Sequence, residues 1–183
     1  MRKLITFMLL AGAVLPVSAQ QAKKTVKKQN IIIILADDMA YSDIGCFGST
    51  IRTPNINELA KTGLVMTQFY NASRCCPSRA SLLTGLYSHQ AGVGDMVNTR
   101  TEPAYEGYLN HNCVTIAEAL KAGGYNTYMA GKWHVGTAPE NWPVKRGFDH
   151  YFGLIDGASS YFHPTDPYRP NQKLTIALDD KPF

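Results

Sequence analysis

Gln29-Asn30-Ile31-Ile32-Ile33-Ile34-Leu35-Ala36-Asp37-Asp38 joins an unbroken run of large apolar residues to a pair of carboxylates. The run has no polar–apolar alternation. It therefore predicts a strand buried on both faces, as in the centre of a parallel α/β sheet. Asp37 and Asp38 then fall at the C-terminal end of that strand, where open α/β sheets bind ligands. Adjacent like charges repel, and a cation relieves the repulsion. Donors that are all oxygen suit a hard ion, Ca2+ or Mg2+. Taken alone, the pair reads as a solvated acidic turn after a strand.

On the N-terminal side, residues 1–19 read as a secretory signal peptide. Arg2 and Lys3 form the charged start, and residues 4–14 are mostly apolar but too short to span a bilayer comfortably. Pro16 breaks the helix, and Val17-Ser18-Ala19 places small residues at a cleavage site. The reading implies export, to a bacterial periplasm or beyond, with no stable membrane anchor. Residues 20–29 form a basic arm around Lys23, Lys24, Lys27 and Lys28. The chain of 183 residues carries a net charge of +4, and removing Arg2 and Lys3 gives 4 − 2 = +2. That excess is small and unaccompanied by aromatic or Arg patterning, which argues against nucleic-acid binding. Residues 30–183 are long enough for one domain with a core. Cys46, Cys75, Cys76 and Cys113 do not make a disulfide framework for a chain of this length.

On the C-terminal side, Thr53-Pro54 opens a helix that Gly63 closes, and Leu64 to Tyr70 reads as a second strand. That strand delivers the chain to Cys75-Cys76-Pro77-Ser78-Arg79-Ala80-Ser81-Leu82-Leu83-Thr84-Gly85. Pro77 suits the first turn of a helix, Ala80 to Leu83 propagate it, and Gly85 suits its left-handed end. Cys75 thus lies at a helix N-terminus, where unpaired N–H groups attract anions and activate thiols. Arg79 lies one turn on, over the same end. Residues 86–108 read as an irregular loop, with His89 either lining the site or on the surface. Thr115 to Ala122 reads as a short helix and Tyr125 to Met129 as a strand. The latter leads into Ala130-Gly131-Lys132-Trp133-His134-Val135-Gly136. Lys132 and His134 alternate along the chain and so point to one side, where they suit binding and protonation of an anionic ester. A surface Lys and a core-edge His around a buried Trp is the plainer reading of the same residues. Near the end, residues 173–178 read as a strand, Asp179-Asp180 as a hairpin turn and residues 181–183 as the returning strand.

Cys75-x-Pro77-Ser78-Arg79, followed by Leu83-Thr84-Gly85, resembles the signature of the type I sulfatases. Gly131-Lys132-Trp133-His134-x-Gly136 looks like a second signature of that family. Arg146-Gly147-Phe148-Asp149 with Tyr151-Phe152-Gly153 is a third, weaker match, and polar groups around residues 157–160 fall where sulfate contacts follow it. The resemblance runs from about Asn30 to the end and is similar to the front portion of an arylsulfatase-type catalytic domain. It implies an α/β fold, the alkaline-phosphatase-like α/β/α sandwich around a mostly parallel sheet, here truncated. It also implies that a maturation enzyme oxidises Cys75 to Cα-formylglycine, whose hydrate is the nucleophile at sulfur. Asp37, Asp38 and the group at position 75 would ligate Ca2+, with Mg2+ the lesser expectation. Arg79 would hydrogen-bond the hydrate, Lys132 would neutralise charge on the sulfate, and His134 would position or activate the hydrate.

The implied reaction is hydrolysis of a sulfate ester, either a sulfated carbohydrate or an aryl sulfate. Two other readings stand beside it: a non-catalytic, sulfate-binding remnant, and a phosphonate or phosphodiester hydrolase of the same superfamily. The family's later metal and sulfate ligands have no counterpart in these residues. Nothing in the pattern fixes the substrate or the oligomeric state.

Overall fold

The computed structural model describes residues 27–167 and 173–183. The expected signal peptide and the first seven positions of the basic arm lie outside the described residues. The chain divides into two units, residues 1–36 and 37–183. Among the described residues, no helix is long and apolar enough to cross a membrane.

In the first unit, residues 27–36 form neither helix nor strand. Ile32 and Ile34 are 81% and 85% exposed, and Ile31, Ile33 and Leu35 are also open to solvent. The predicted central strand is therefore not formed. A strand exists only through backbone pairing with a neighbour, and an apolar run states a demand for burial without saying what supplies it. The predicted strand at Leu64 to Tyr70 fails for the same reason. Its residues form no strand, and Leu64, Phe69 and Tyr70 are exposed.

The second unit, which includes the unformed strand at Leu64 to Tyr70, forms its predicted helices and shorter versions of its later strands. Helix α1 spans Pro54–Thr62, with Pro54 in its first turn. Thr53 does not cap it by its side chain. Its hydroxyl accepts from the Gly45 N–H and donates to Asn57 Oδ1 instead. Helix α2 spans Cys75–Thr84 and ends at Gly85, which adopts φ 70° and donates its N–H to the Ser81 carbonyl. Cys76 and Ala80, one turn apart, are fully buried in the core with Val93, Leu109, Trp133 and Tyr151. Cys75 and Arg79 share the adjacent stripe of the same helix. Helix α3 spans Ile116–Ala122 and is capped reciprocally: Thr115 Oγ1 accepts from the Glu118 N–H, and Glu118 accepts from the Thr115 N–H.

Four short strands form a mixed sheet in the order β1-β2-β3-β4. These are β1 (Tyr128–Ala130), β2 (His150–Leu154), β3 (Ile176–Leu178) and β4 (Lys181–Pro182). β1 and β2 are parallel, with Met129 opposite Tyr151, whereas β2–β3 and β3–β4 are antiparallel. The predicted hairpin at Asp179-Asp180 is present, with Asp179 at φ 55°.

The β1–β2 ladder continues past the end of β1, and this extension places the site. The N–H groups of Gly131, Trp133 and His134 donate to the carbonyls of Phe152, Leu154 and Ile155 at 2.8–3.0 Å. Gly131 and Gly153 make the approach feasible, since a Cβ at Gly153 would lie 2.0 Å from the Gly131 carbonyl oxygen. Ile155 in turn donates its N–H to the Thr175 carbonyl at 2.9 Å, just ahead of β3.

Arg146 ties α3 to the loop that precedes it. It is 2% exposed and donates to the carbonyls of Leu109, Asn110 and Cys113, and it pairs with Glu118 at 3.1 Å. Arg146 is thus a buried brace, whereas Gly147, Phe148 and Asp149 beside it are half-buried.

Candidate active site

Cys75 sits in the first turn of α2, and its Sγ lies 3.3 Å from His134 Nδ1. Two different elements supply this pair, the helix N-terminus and the extended end of β1. Trp133, between Lys132 and His134, is fully buried and donates its indole N–H to the Asn141 carbonyl at 3.0 Å. Lys132 and His134 lie past the end of β1, so the expected strand alternation does not apply to them, and their side chains reach Asp37 and Cys75 respectively. His134 has φ 54°, an uncommon conformation for a residue with a side chain. Three constraints hold it: the N–H bond to Ile155, the Cys75 contact, and Gly157 packed on the ring. A Cβ at Gly157 would stand 2.2 Å from His134 Cε1.

Two cationic groups and one carboxylate complete the cluster. Lys132 Nζ lies 2.7 Å from Asp37 Oδ2, and Arg79 NH2 lies 3.4 Å from the same oxygen. Arg79 also donates through NH1 to the Lys132 carbonyl. The Arg79 side chain is 9% exposed, and its buried Nε has no hydrogen-bond partner. A buried donor without a partner is costly, and it marks a position where an incoming acceptor would be held. Burial pushes the His134 imidazole down to about 4, and the charges of Lys132 and Arg79 reinforce this against the opposing pull of Asp37. The ring is therefore uncharged near neutrality and free to accept a proton. Burial alone would raise the Asp37 carboxyl, but the Lys132 hydrogen bond and the nearby positive charges outweigh it and hold the group below its ordinary value. Cys76, buried behind Cys75, is pushed up to about 12 by burial and by the neighbouring thiol.

The structure thus brings Cys75, Arg79, Lys132, His134 and Asp37 together. Asp38, at φ 54°, makes no hydrogen bond or ion pair with these groups. His89 is exposed and packs edge-on against Tyr105. Ser159 and Ser160 bond within their own loop. Gly157 was the residue whose role the sequence hid, because no motif marks a glycine chosen for the ring it faces. All four cysteines are free.

Residues 29–180 match the sulfatase family model. The chain belongs to the sulfatase family. It is 43% identical over 163 residues to the arylsulfatase of Klebsiella aerogenes, covering 87% of this chain and 34% of that protein. It is 45% identical over 129 residues to human arylsulfatase A, covering 68% of this chain and 25% of that protein. Among solved structures, the sulfatase-family chain resembles Ps i-CgsB in complex with k-i-k-neocarrahexaose, with a TM-score of 0.72 and 35% identity. That match covers 86% of this chain and 37% of the other. The chain accordingly spans about a quarter to a third of the length of these curated relatives. The fold is α/β, as predicted, with a small mixed sheet and flanking helices.

Proposed function

We propose that this chain carries the nucleophile-bearing part of a sulfate ester hydrolase, with position 75 as the reacting group. The observation that carries the reading is the buried, unpartnered Nε of Arg79, one helical turn from Cys75 and beside Lys132 and His134. A tetrahedral anion presents several acceptor oxygens, and these groups offer the matching donors.

Oxidation of Cys75 to Cα-formylglycine by a maturation enzyme would supply a hydrated aldehyde: one hydroxyl attacks sulfur and displaces the alcohol, leaving a sulfate ester on position 75, and the other then loses its proton to solvent as the carbonyl re-forms and sulfate leaves. The chain's own residues supply the rest. His134, neutral and aimed at position 75, accepts the proton of the attacking hydroxyl. Arg79 donates to the oxygen at position 75 or to the sulfate and offsets the charge that develops there. Lys132 holds a non-bridging sulfate oxygen and exchanges this role with its present bond to Asp37. The positive end of α2 adds to the same field.

Asp37 and Asp38 are hard carboxylate donors, of the kind Ca2+ takes, with Mg2+ the lesser fit. Two carboxylates offer at most about four oxygens where Ca2+ takes about six to eight, so the fit is one of kind and the shell needs further ligands. Such an ion would polarise the sulfate oxygens when bound. The substrate we assign is a sulfated carbohydrate or an aryl sulfate, in line with the oligosaccharide held by the solved neighbour. We take the site to work outside the cytoplasm, after a signal peptide at residues 1–19.

Mass spectrometry of the Cys75 peptide tests the reading, after expression in a host with formylglycine maturation. An aldehyde or its hydrate at position 75 is expected. An unmodified thiol there would overturn the assignment.

A further inference from the structure

Before any oxidation, the same corner of the molecule holds a different donor set. Sγ of Cys75, Sγ of Cys76 and a ring nitrogen of His134 all lie within 4.8 Å of one another. Cys76 Sγ also lies 3.8 Å from the thioether sulfur of Met96. The set is soft: two thiols, an imidazole and a thioether. Soft sulfur donors select Zn2+ and Cu+, not the hard ions that carboxylates attract. With Zn–S bonds of about 2.3 Å and Zn–N of about 2.0 Å, two tetrahedral ligand atoms stand about 3.5 Å apart. The Cys75 Sγ–His134 Nδ1 distance of 3.3 Å is already near that value. Cys76 is fully buried and His134 6% exposed, so the donors need little ordering on binding.

We propose that the unoxidised protein binds one soft metal ion, Zn2+ or Cu+, at Cys75, Cys76 and His134, with Met96 as a neighbouring thioether donor. Each cysteine that ligates gives its proton to solvent, and the sulfur lone pair forms the bond to the metal. No redox change is involved. Conversion of Cys75 to an aldehyde would remove one of the two thiolates, so the soft-metal form and the oxidised form exclude one another. A metal held here would also shield the Cys75 sulfur from oxidation.

The test uses the full chain with the exposed Cys46 replaced (Cys46→Ser), made in a host without formylglycine maturation and verified by mass as the thiol form. Titration with Co2+, followed by competition with Zn2+, reads thiolate-to-metal charge-transfer absorption and stoichiometry. One ion per chain with strong charge-transfer absorption is expected. Changing an outer-shell partner of a metal already costs roughly 10–100-fold in affinity, so loss of a direct ligand should cost more than about tenfold. Cys75→Ser and His134→Ala should each show that loss, with circular dichroism confirming that both variants remain folded. Cys75→Ser should also weaken the charge-transfer band, whereas His134→Ala should keep its sulfur character. Absence of a charge-transfer band in the folded chain would overturn the proposal. So would an affinity that neither substitution changes.

Discussion

Acidification is the most direct probe of the His134 pocket. The fold holds this imidazole neutral, pushed down to about 4 by burial, then by Lys132 and Arg79, against Asp37. In the unfolded chain the ring titrates near 6.5. Between those values the unfolded chain binds more protons than the folded one, so stability falls as pH drops. The contribution is fully present above about pH 6.5 and is lost as pH approaches 4. At about 1.4 kcal/mol per pH unit, the window from 6.5 to about 4 amounts to about 3 kcal/mol. Between about pH 7 and about pH 4.5 the expected loss is roughly 2–3 kcal/mol. Carboxylates such as Asp37 titrate nearby, so the quantity to measure is the difference between the native chain and His134→Asn. Urea unfolding followed through Trp133 and Trp142 fluorescence gives that difference at each pH. A flat difference across the window would refute the argument, as would an imidazole that titrates near 6.5 by NMR in the folded protein.

Two further perturbations test the packing. In Gly157→Ala, the new Cβ would stand 2.2 Å from His134 Cε1, so the ring must move by about 1 Å to reach ordinary contact. Alkylation of Cys75, measured against exposed Cys46 in the same sample, should then slow by at least about tenfold, and equal rates would show that the imidazole does not act on this thiol. The exposed run at residues 31–35 is apolar, β-prone and uncharged, the composition of an aggregating edge. Ile32→Lys with Ile34→Lys should raise the monomer fraction in sedimentation without changing far-ultraviolet circular dichroism, and unchanged association would place the sticky surface elsewhere.

Local chemistry was the part of this fold most legible in the sequence. Pro77, Ala80 to Leu83 and Gly85 mark a helix whose boundaries depend on neighbours within a few residues, and α2 forms there. Lys132 and His134 flank a buried Trp133, but both lie past the end of β1, and His134 at φ 54° is not extended, so strand alternation alone does not aim them. Ile31 to Leu35 and Leu64 to Tyr70 failed as strands because pairing is non-local. Their apolarity is real, but no backbone among the described residues pairs with them. Arg146 is an intermediate case. Its family-like setting flagged a role, yet only the buried carbonyls of Leu109, Asn110 and Cys113 reveal that the role is structural. Gly157 opened a stretch expected to meet sulfate, but its contact with an imidazole was not legible, since that ring is supplied 23 residues earlier (157 − 134).

The extension of the β1–β2 ladder has a mechanical consequence. The Thr175 carbonyl holds the Ile155 N–H, the Ile155 carbonyl holds the His134 N–H, and the His134 ring rests on Cys75. These links form a load path from the residue just ahead of β3 to the sulfur atom. Fraying at residues 173–178 would thus remove the carbonyl that holds Ile155, and with it one support of the His134 ring.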